Sequence, residues 1–234
     1  MKKITNIMIG LVAAISFASA VNAGSIGFGV TGSYAKIEAS GSETSTGNTA
    51  VSGSYDNNAF LGSIYAEYSL NDASWGSAGN GFTIGAQYTP GAADVSQDTI
   101  TTTVTASPAN SGDTGTKSAN AEVENYRNYY IEVPVFKSLY VKAGRSKIDV
   151  NTLETSSITK NAGASEVPGT FPNAEVDGTN LGIGLKGVSS NNIVWKIAYE
   201  RTDFDTLNLT STTSQTVTAD LDTSEVNLSI GYRF

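Results

Sequence analysis

The chain of 234 residues contains neither cysteine nor histidine. The absence of cysteine excludes disulfides and thiol nucleophiles. The absence of histidine removes the commonest zinc ligand and the imidazole base on which hydrolase triads depend. Carboxylates remain for acid–base chemistry, but most lie in Ser- and Thr-rich segments. We therefore expect no enzymatic activity and no cofactor.

Long apolar runs are also scarce, and the longest one stands at the start of the chain. Lys2 and Lys3 precede it, and small residues that suit signal peptidase follow at Ala20 and Ala23. This order is that of a secretory signal peptide, and the run is short for a membrane anchor, which is the alternative. We predict a signal peptide at residues 1–23, with cleavage after Ala20 as the other choice.

The remaining chain, residues 24–234, is poor in positive charge. It carries 12 basic and 22 acidic residues, a net charge of −10, which argues against nucleic acid as a partner. Nothing in it approaches the ~20 consecutive apolar residues of a membrane helix. Hydropathy alone indicates a soluble protein, but membrane β-barrels escape this test because their strands alternate apolar and polar residues.

Eight segments of the exported chain alternate in this way, which is the period of a β-strand. They are residues 25–38, 59–70, 81–89, 128–135, 139–144, 179–187, 192–200 and 225–234. Long and short connections alternate between these segments, and the long ones are rich in Ser, Thr, Asn and Gly. Short periplasmic turns and long external loops are typical of an up-and-down membrane barrel, and an even strand number puts both termini on one side.

The aromatic residues of these segments fall near two levels. If odd strands run outward and even strands inward, the outer belt contains Tyr34, Phe60, Tyr88, Tyr129 and Tyr199, and the inner belt contains Tyr68, Phe82, Trp195, Tyr232 and Phe234. Aromatic rings favour the two interfaces of a membrane. Tyr140 breaks the pattern, because its parity places it in the lumen: either it closes the barrel floor or its strand carries a bulge.

These features predict an all-β fold, an eight-stranded antiparallel up-and-down transmembrane β-barrel formed by residues 24–234. The alternative is a secreted β-sandwich with one face on its core. A sandwich has no reason to sort its loops by length or its aromatic residues into belts.

The last strand carries a resemblance to a known family. It alternates apolar and polar residues up to a terminal aromatic, as EVNLSIGYRF. With the Gly-opened first strand, it resembles the small eight-stranded outer-membrane barrels of Gram-negative bacteria, of the porin-like or opacity type. The resemblance implies a monomer in outer-membrane lipid. It also implies that the barrel-assembly machinery reads the apolar positions Val226, Leu228, Ile230, Tyr232 and Phe234.

The opposite face of the strands holds most of their charges. Inward parity is shared by Glu67, Glu132, Lys142, Lys186, Lys196, Glu200 and Arg233. An eight-stranded barrel is only wide enough for its own side chains, and buried charges need partners. We therefore favour a salt-bridged plug over an ion path lined by Lys and Arg, and predict a cross-strand bridge between Glu132 and Lys142.

Four acids surround the last external loop. If the two final strands continue as one hairpin, the register sets Asp203 opposite Asp222 and Asp205 opposite Asp220. Carboxylate oxygens are ligands that Ca²⁺ prefers, so the quartet is a hypothetical metal site. A solvated acidic loop is the simpler interpretation, because no calcium-loop motif is present.

The architecture indicates the function of the protein only in general terms. We predict a structural or cell-surface interaction protein that holds long acidic loops outside a filled barrel, with no ligand that the sequence can name. The alternative is a small porin-like channel for ions or small solutes.

Overall fold

The structure is a computed structural model that describes residues 24–44, 51–70, 81–94, 100–104, 115–156, 170–212 and 215–234. The predicted signal peptide lies outside these residues, as does the connection at 71–80. No helix within the described ranges is long and apolar enough to cross a membrane.

Ten antiparallel strands make up the described chain. They are Gly24–Thr44 (β1), Val51–Leu70 (β2), Thr83–Asp94 (β3), Ile100–Val104 (β4), Gly115–Phe136 (β5), Leu139–Ser156 (β6), Ala174–Val188 (β7), Ile193–Phe204 (β8), Leu207–Thr210 (β9) and Thr216–Arg233 (β10). Eight of them form the barrel wall in the order β1, β2, β3, β5, β6, β7, β8 and β10. The short strands β4 and β9 pair with β5 and β10.

The barrel closes because its last strand pairs with its first. Phe28 lies opposite Tyr232 and Val30 opposite Ile230, and the amide of Phe234 donates to the carbonyl of Ile26 at 2.8 Å. Closure satisfies the backbone groups of both edges, which have no water to bind inside a membrane. The predicted antiparallel eight-stranded barrel is confirmed.

The strands are strongly tilted. Following the register once around the wall from Phe28 leads back to β1 at Glu38, ten residues further along. Ten residues at about 3.3 Å each, set against eight strands about 4.7 Å apart, correspond to a tilt of about 40°. A barrel of this size has an interior that side chains can fill.

The outer surface is apolar over the middle of the barrel. Side chains that a water-soluble protein would bury are more than half exposed, among them Leu228 at 66% and Leu181 at 57%. Aromatic residues flank this band on both sides, with Phe60 and Tyr199 at the outer belt and Trp195 at the inner one. The surface therefore fits the apolar belt and aromatic girdles of a transmembrane barrel.

Tyr140, the exception to the parity rule, points into the lumen. It is 4% exposed, and β6 keeps its alternation through this position. An irregularity of register occurs on the neighbouring strand, between Pro134 and Phe136. The ring closes the barrel near the short turn, which is the first of the two predicted explanations.

The wall strands extend well beyond the predicted segments on the outer side. β1 and β2 stay paired up to Glu43 and Val51, where the sequence alone indicated a long loop. Above the membrane the outer face of a hairpin meets water, so it lacks the lipid-facing apolar residues that marked the predicted segments. Inside this extension Ile148, Val150, Val176 and Phe204 form a small apolar cluster above the charged part of the lumen.

Candidate functional site

The lumen contains the seven charged residues that were predicted to point inward, and each is 7% exposed or less. Strands on different sides of the barrel bring these side chains together in the lumen. Buried charges at this density need partners at hydrogen-bond distance, because each carries a desolvation cost of several kcal/mol.

Glu132 is the centre of the network. Its two carboxylate oxygens accept from Lys186 Nζ at 2.7 Å and from Lys196 Nζ at 2.8 Å. Lys196 also pairs with Glu67, which accepts a further hydrogen bond from the hydroxyl of Tyr130 at 2.6 Å. Two carboxylates thus share one ammonium group, and the chain of contacts crosses the lumen.

Lys142 belongs to a second pair. Its Nζ donates to both carboxylate oxygens of Glu200, at 2.9 and 2.8 Å, and lies 4.0 Å from the ring centroid of Tyr130. The predicted bridge between Glu132 and Lys142 is wrong, although the two residues are directly opposed. Lys142 turns the other way because Gly182, which lies between it and Glu200 in the register, has no side chain.

Replacing Gly182 therefore tests the pair. An added Cβ would lie 2.8 Å from Glu200 Cγ and 3.2 Å from the backbone oxygen of Tyr199. We expect Gly182→Ala to destabilise the barrel by about 1–3 kcal/mol, as overpacking does. Gly62→Ala is the matched control, because its Cβ meets nothing within 4 Å. Urea unfolding in detergent measures both, and equal midpoints for the two variants would contradict the packing.

Arg233 is the seventh predicted residue and lies at the periplasmic end of the lumen. One of its guanidinium nitrogens donates to the hydroxyl of Ser69 at 3.4 Å.

Tyrosines fill much of the space that the ion pairs leave. Tyr65, Tyr130 and Tyr140 are all buried, and Lys196 Nζ lies 4.8 Å from the ring centroid of Tyr65. The rings lie against glycines of neighbouring strands: a Cβ on Gly85 would come within 2.4 Å of Tyr130. Alternation in the sequence marks Tyr65 and Tyr130 as inward, so their place in the lumen was predictable.

A further inward acid was missed in the same way. Glu225 lies opposite Glu200 and is 8% exposed. It stands one position before the apolar series of the last strand, so its parity in the sequence was a usable signal. The described lumen thus holds four acids, with Glu225 nearest the outer end.

The acidic quartet is only partly assembled. Asp203 lies opposite Asp222, as predicted, and Arg201 donates to both, at 2.7 and 3.3 Å. Partial burial raises the pKa of Asp222, and the carboxylate of Asp203 adds to this while Arg201 opposes it. In the described chain, Arg201 rather than a cluster of ligands neutralises the pair.

The other two acids of the quartet have different partners. Asp220 accepts from the hydroxyl of Thr206 at 2.6 Å, and Asp205 lies 4.0 Å from Arg145. The described residues contain no group of three or more acids that could hold a metal ion. The structure therefore does not bring the four carboxylates of the hypothetical metal site together.

The closed wall, the exposed apolar band and the two aromatic belts decide where the protein lies, because only a membrane covers such a surface. The chain is an eight-stranded transmembrane β-barrel. The described strands carry no charge on the middle of their lipid-facing surface.

Comparison with known proteins adds no closer identification. No family model and no curated protein matches the chain. Among solved structures, it is similar to Ail, the attachment invasion locus protein of Yersinia pestis (15% identity, TM-score 0.38, 90% of this chain and 97% of Ail). It is similar to the outer-membrane protease OmpT from Escherichia coli (7% identity, TM-score 0.40, 90% and 97%) and to AlkL (13%, 0.40, 92% and 92%). These distant likenesses carry no argument about function.

Proposed function

We propose that this protein is a structural or surface-interaction barrel, which anchors external hairpins outside a sealed lumen. The observation that carries the proposal is the lumen itself. Glu132, Lys186, Lys196 and Glu67 form one continuous chain of ion pairs, and none of these side chains is more than 5% exposed. A path for hydrated ions needs water between such groups rather than direct contacts.

The outer end of the barrel supports the same proposal. β1 pairs with both β2 and β10 up to its last residues, so the wall continues past the apolar band into the external space. The described hairpins carry exposed acids and hydroxyl side chains, which suit contact with water and with polar surfaces. No enzymatic role is proposed, since the chain lacks both histidine and cysteine.

Conductance in a planar lipid bilayer tests the proposal. We expect the refolded protein to give no regular current steps, because paired side chains occupy the lumen. The double variant Tyr130→Ala with Tyr140→Ala removes two buried rings from the lumen and serves as the positive control. Its heat-modifiable gel migration must first show that the barrel is folded. Uniform current steps from the unmodified protein would instead favour the alternative, a small porin-like channel.

A further inference from the structure

The lipid-facing wall is not uniform. A groove of about 780 Å³ crosses its outer surface from β1 to β6. Alanines at 66, 86 and 143 provide small side chains along it, while Phe28 and Tyr129 stand beside them. The volume is within the range of sites that enclose most of a small molecule. A void of this kind inside a bilayer must be filled by an apolar chain, since water has no partners there.

The groove ends at a cation. Arg145 lines it on β6, directly opposite Tyr129 of the outer aromatic belt. Its side chain is 62% exposed, and one guanidinium nitrogen donates to the hydroxyl of Thr179 at 2.9 Å. This level is where a membrane passes from acyl chains to headgroups, because aromatic belts mark that interface.

Arg145 differs from the four other cations above the outer belt whose side chains the structure describes. Lys36, Arg127, Lys147 and Arg201 each have a carboxylate oxygen within 2.7 Å. The nearest such oxygen to Arg145 belongs to Asp205 and is 4.0 Å away. A guanidinium group that lacks a close carboxylate retains donors for a phosphate, which it can bind through two parallel hydrogen bonds.

From this combination we propose a specific lipid seat on the outside of the barrel: the phosphate of an anionic membrane lipid binds Arg145, and its acyl chain lies in the alanine-lined groove. Neither feature alone identifies the occupant. The apolar groove requires a chain, and the cation at its outer end requires an anionic head, so a lipid of the outer leaflet satisfies both. Free phosphate satisfies only the second.

Native mass spectrometry of the full barrel, refolded in detergent and mixed with phosphatidylglycerol, tests the seat. We expect one tightly retained lipid per barrel. Arg145→Gln should reduce retention by about tenfold or more, because a charge-assisted hydrogen bond is worth about 1.5–3 kcal/mol. Ala143→Leu should reduce it similarly by filling the groove, and an exposed alanine on the lipid side tolerates the change.

Two matched controls separate the seat from general attraction. Arg201→Gln removes another exposed guanidinium group that lies off the groove and is paired with Asp203, and Gly62→Leu adds an apolar side chain elsewhere on the lipid-facing wall. Both variants should retain the lipid. Equal losses in Arg145→Gln and Arg201→Gln would mean diffuse electrostatics and overturn the proposal. Full retention by Ala143→Leu, or displacement of the lipid by inorganic phosphate, would also overturn it.

Discussion

Replacing Phe234 by Ala is expected to reduce the yield of the protein in the outer membrane sharply while the purified chain still refolds. The side chain makes two ring contacts, with Tyr232 at 4.9 Å and Phe28 at 6.2 Å between centroids, and is 73% exposed. Losing it costs about 1–3 kcal/mol, a modest part of a closed barrel. The resemblance implies, however, that the assembly machinery recognises this terminal aromatic.

Phe136→Ala is the matched control for this experiment. Phe136 is also a lipid-facing aromatic at the periplasmic end, 65% exposed, but it stands at the turn between β5 and β6. We expect its variant to reach the membrane at nearly normal yield. Heat-modifiable gel migration of refolded protein, compared with the amount in the membrane fraction, measures both quantities. Normal membrane yield of Phe234→Ala would show that the terminal ring serves lipid contact alone.

The second large effect is expected from Lys196→Met. This change removes the ammonium group that Glu67 and Glu132 share, while Glu67 keeps the hydroxyl of Tyr130 and Glu132 keeps Lys186. Breaking a buried ion pair by removing one partner costs about 3–5 kcal/mol, because the remaining charge stays desolvated. We expect a correspondingly lower urea midpoint for the refolded barrel.

Lys36→Met provides the comparison for this prediction. Lys36 also pairs with two acids, Glu38 at 2.7 Å and Asp56 at 3.0 Å, but its side chain is 42% exposed. Water screens such a pair, so we expect its loss to shift the urea midpoint far less than the loss of Lys196. If Lys196→Met and Lys36→Met shifted the urea midpoint equally, the luminal network would not stabilise the barrel.

The sequence predicted the barrel wall because each membrane-spanning strand must face lipid on one side and side chains on the other. This requirement places an apolar residue at every second position of each strand, as at Val30, Ile84 and Leu228. The closing pair of strands was predictable for the same reason: an apolar strand that ends the chain needs an edge to join. The external hairpins left no such signal, since their outer face meets water rather than lipid.

The partners of the luminal charges were not predictable from direct opposition. Register placed Lys142 beside Glu132, and also Lys186 beside Lys196, two like charges. Long side chains in a narrow tilted barrel reach past their neighbours wherever a glycine leaves room, as at Gly182. Both lysines of the like-charged pair thereby meet Glu132. Which partner each luminal charge meets depends on the offset between strands and on side-chain volume, and the alternating pattern alone contains neither.

Labelling of single cysteines tests the central claim, a sealed lumen inside a lipid-facing wall, most directly. The chain has no cysteine of its own, so each introduced thiol is the only one. Ser146→Cys places a thiol in the lumen at a position that is 0% exposed, and Ser54→Cys places one in the exposed outer hairpin of β2. A hydrophilic maleimide added to the folded barrel should label Ser54→Cys at once and Ser146→Cys only after unfolding. Equal labelling of both in the folded barrel would reveal a water-filled lumen and contradict the account.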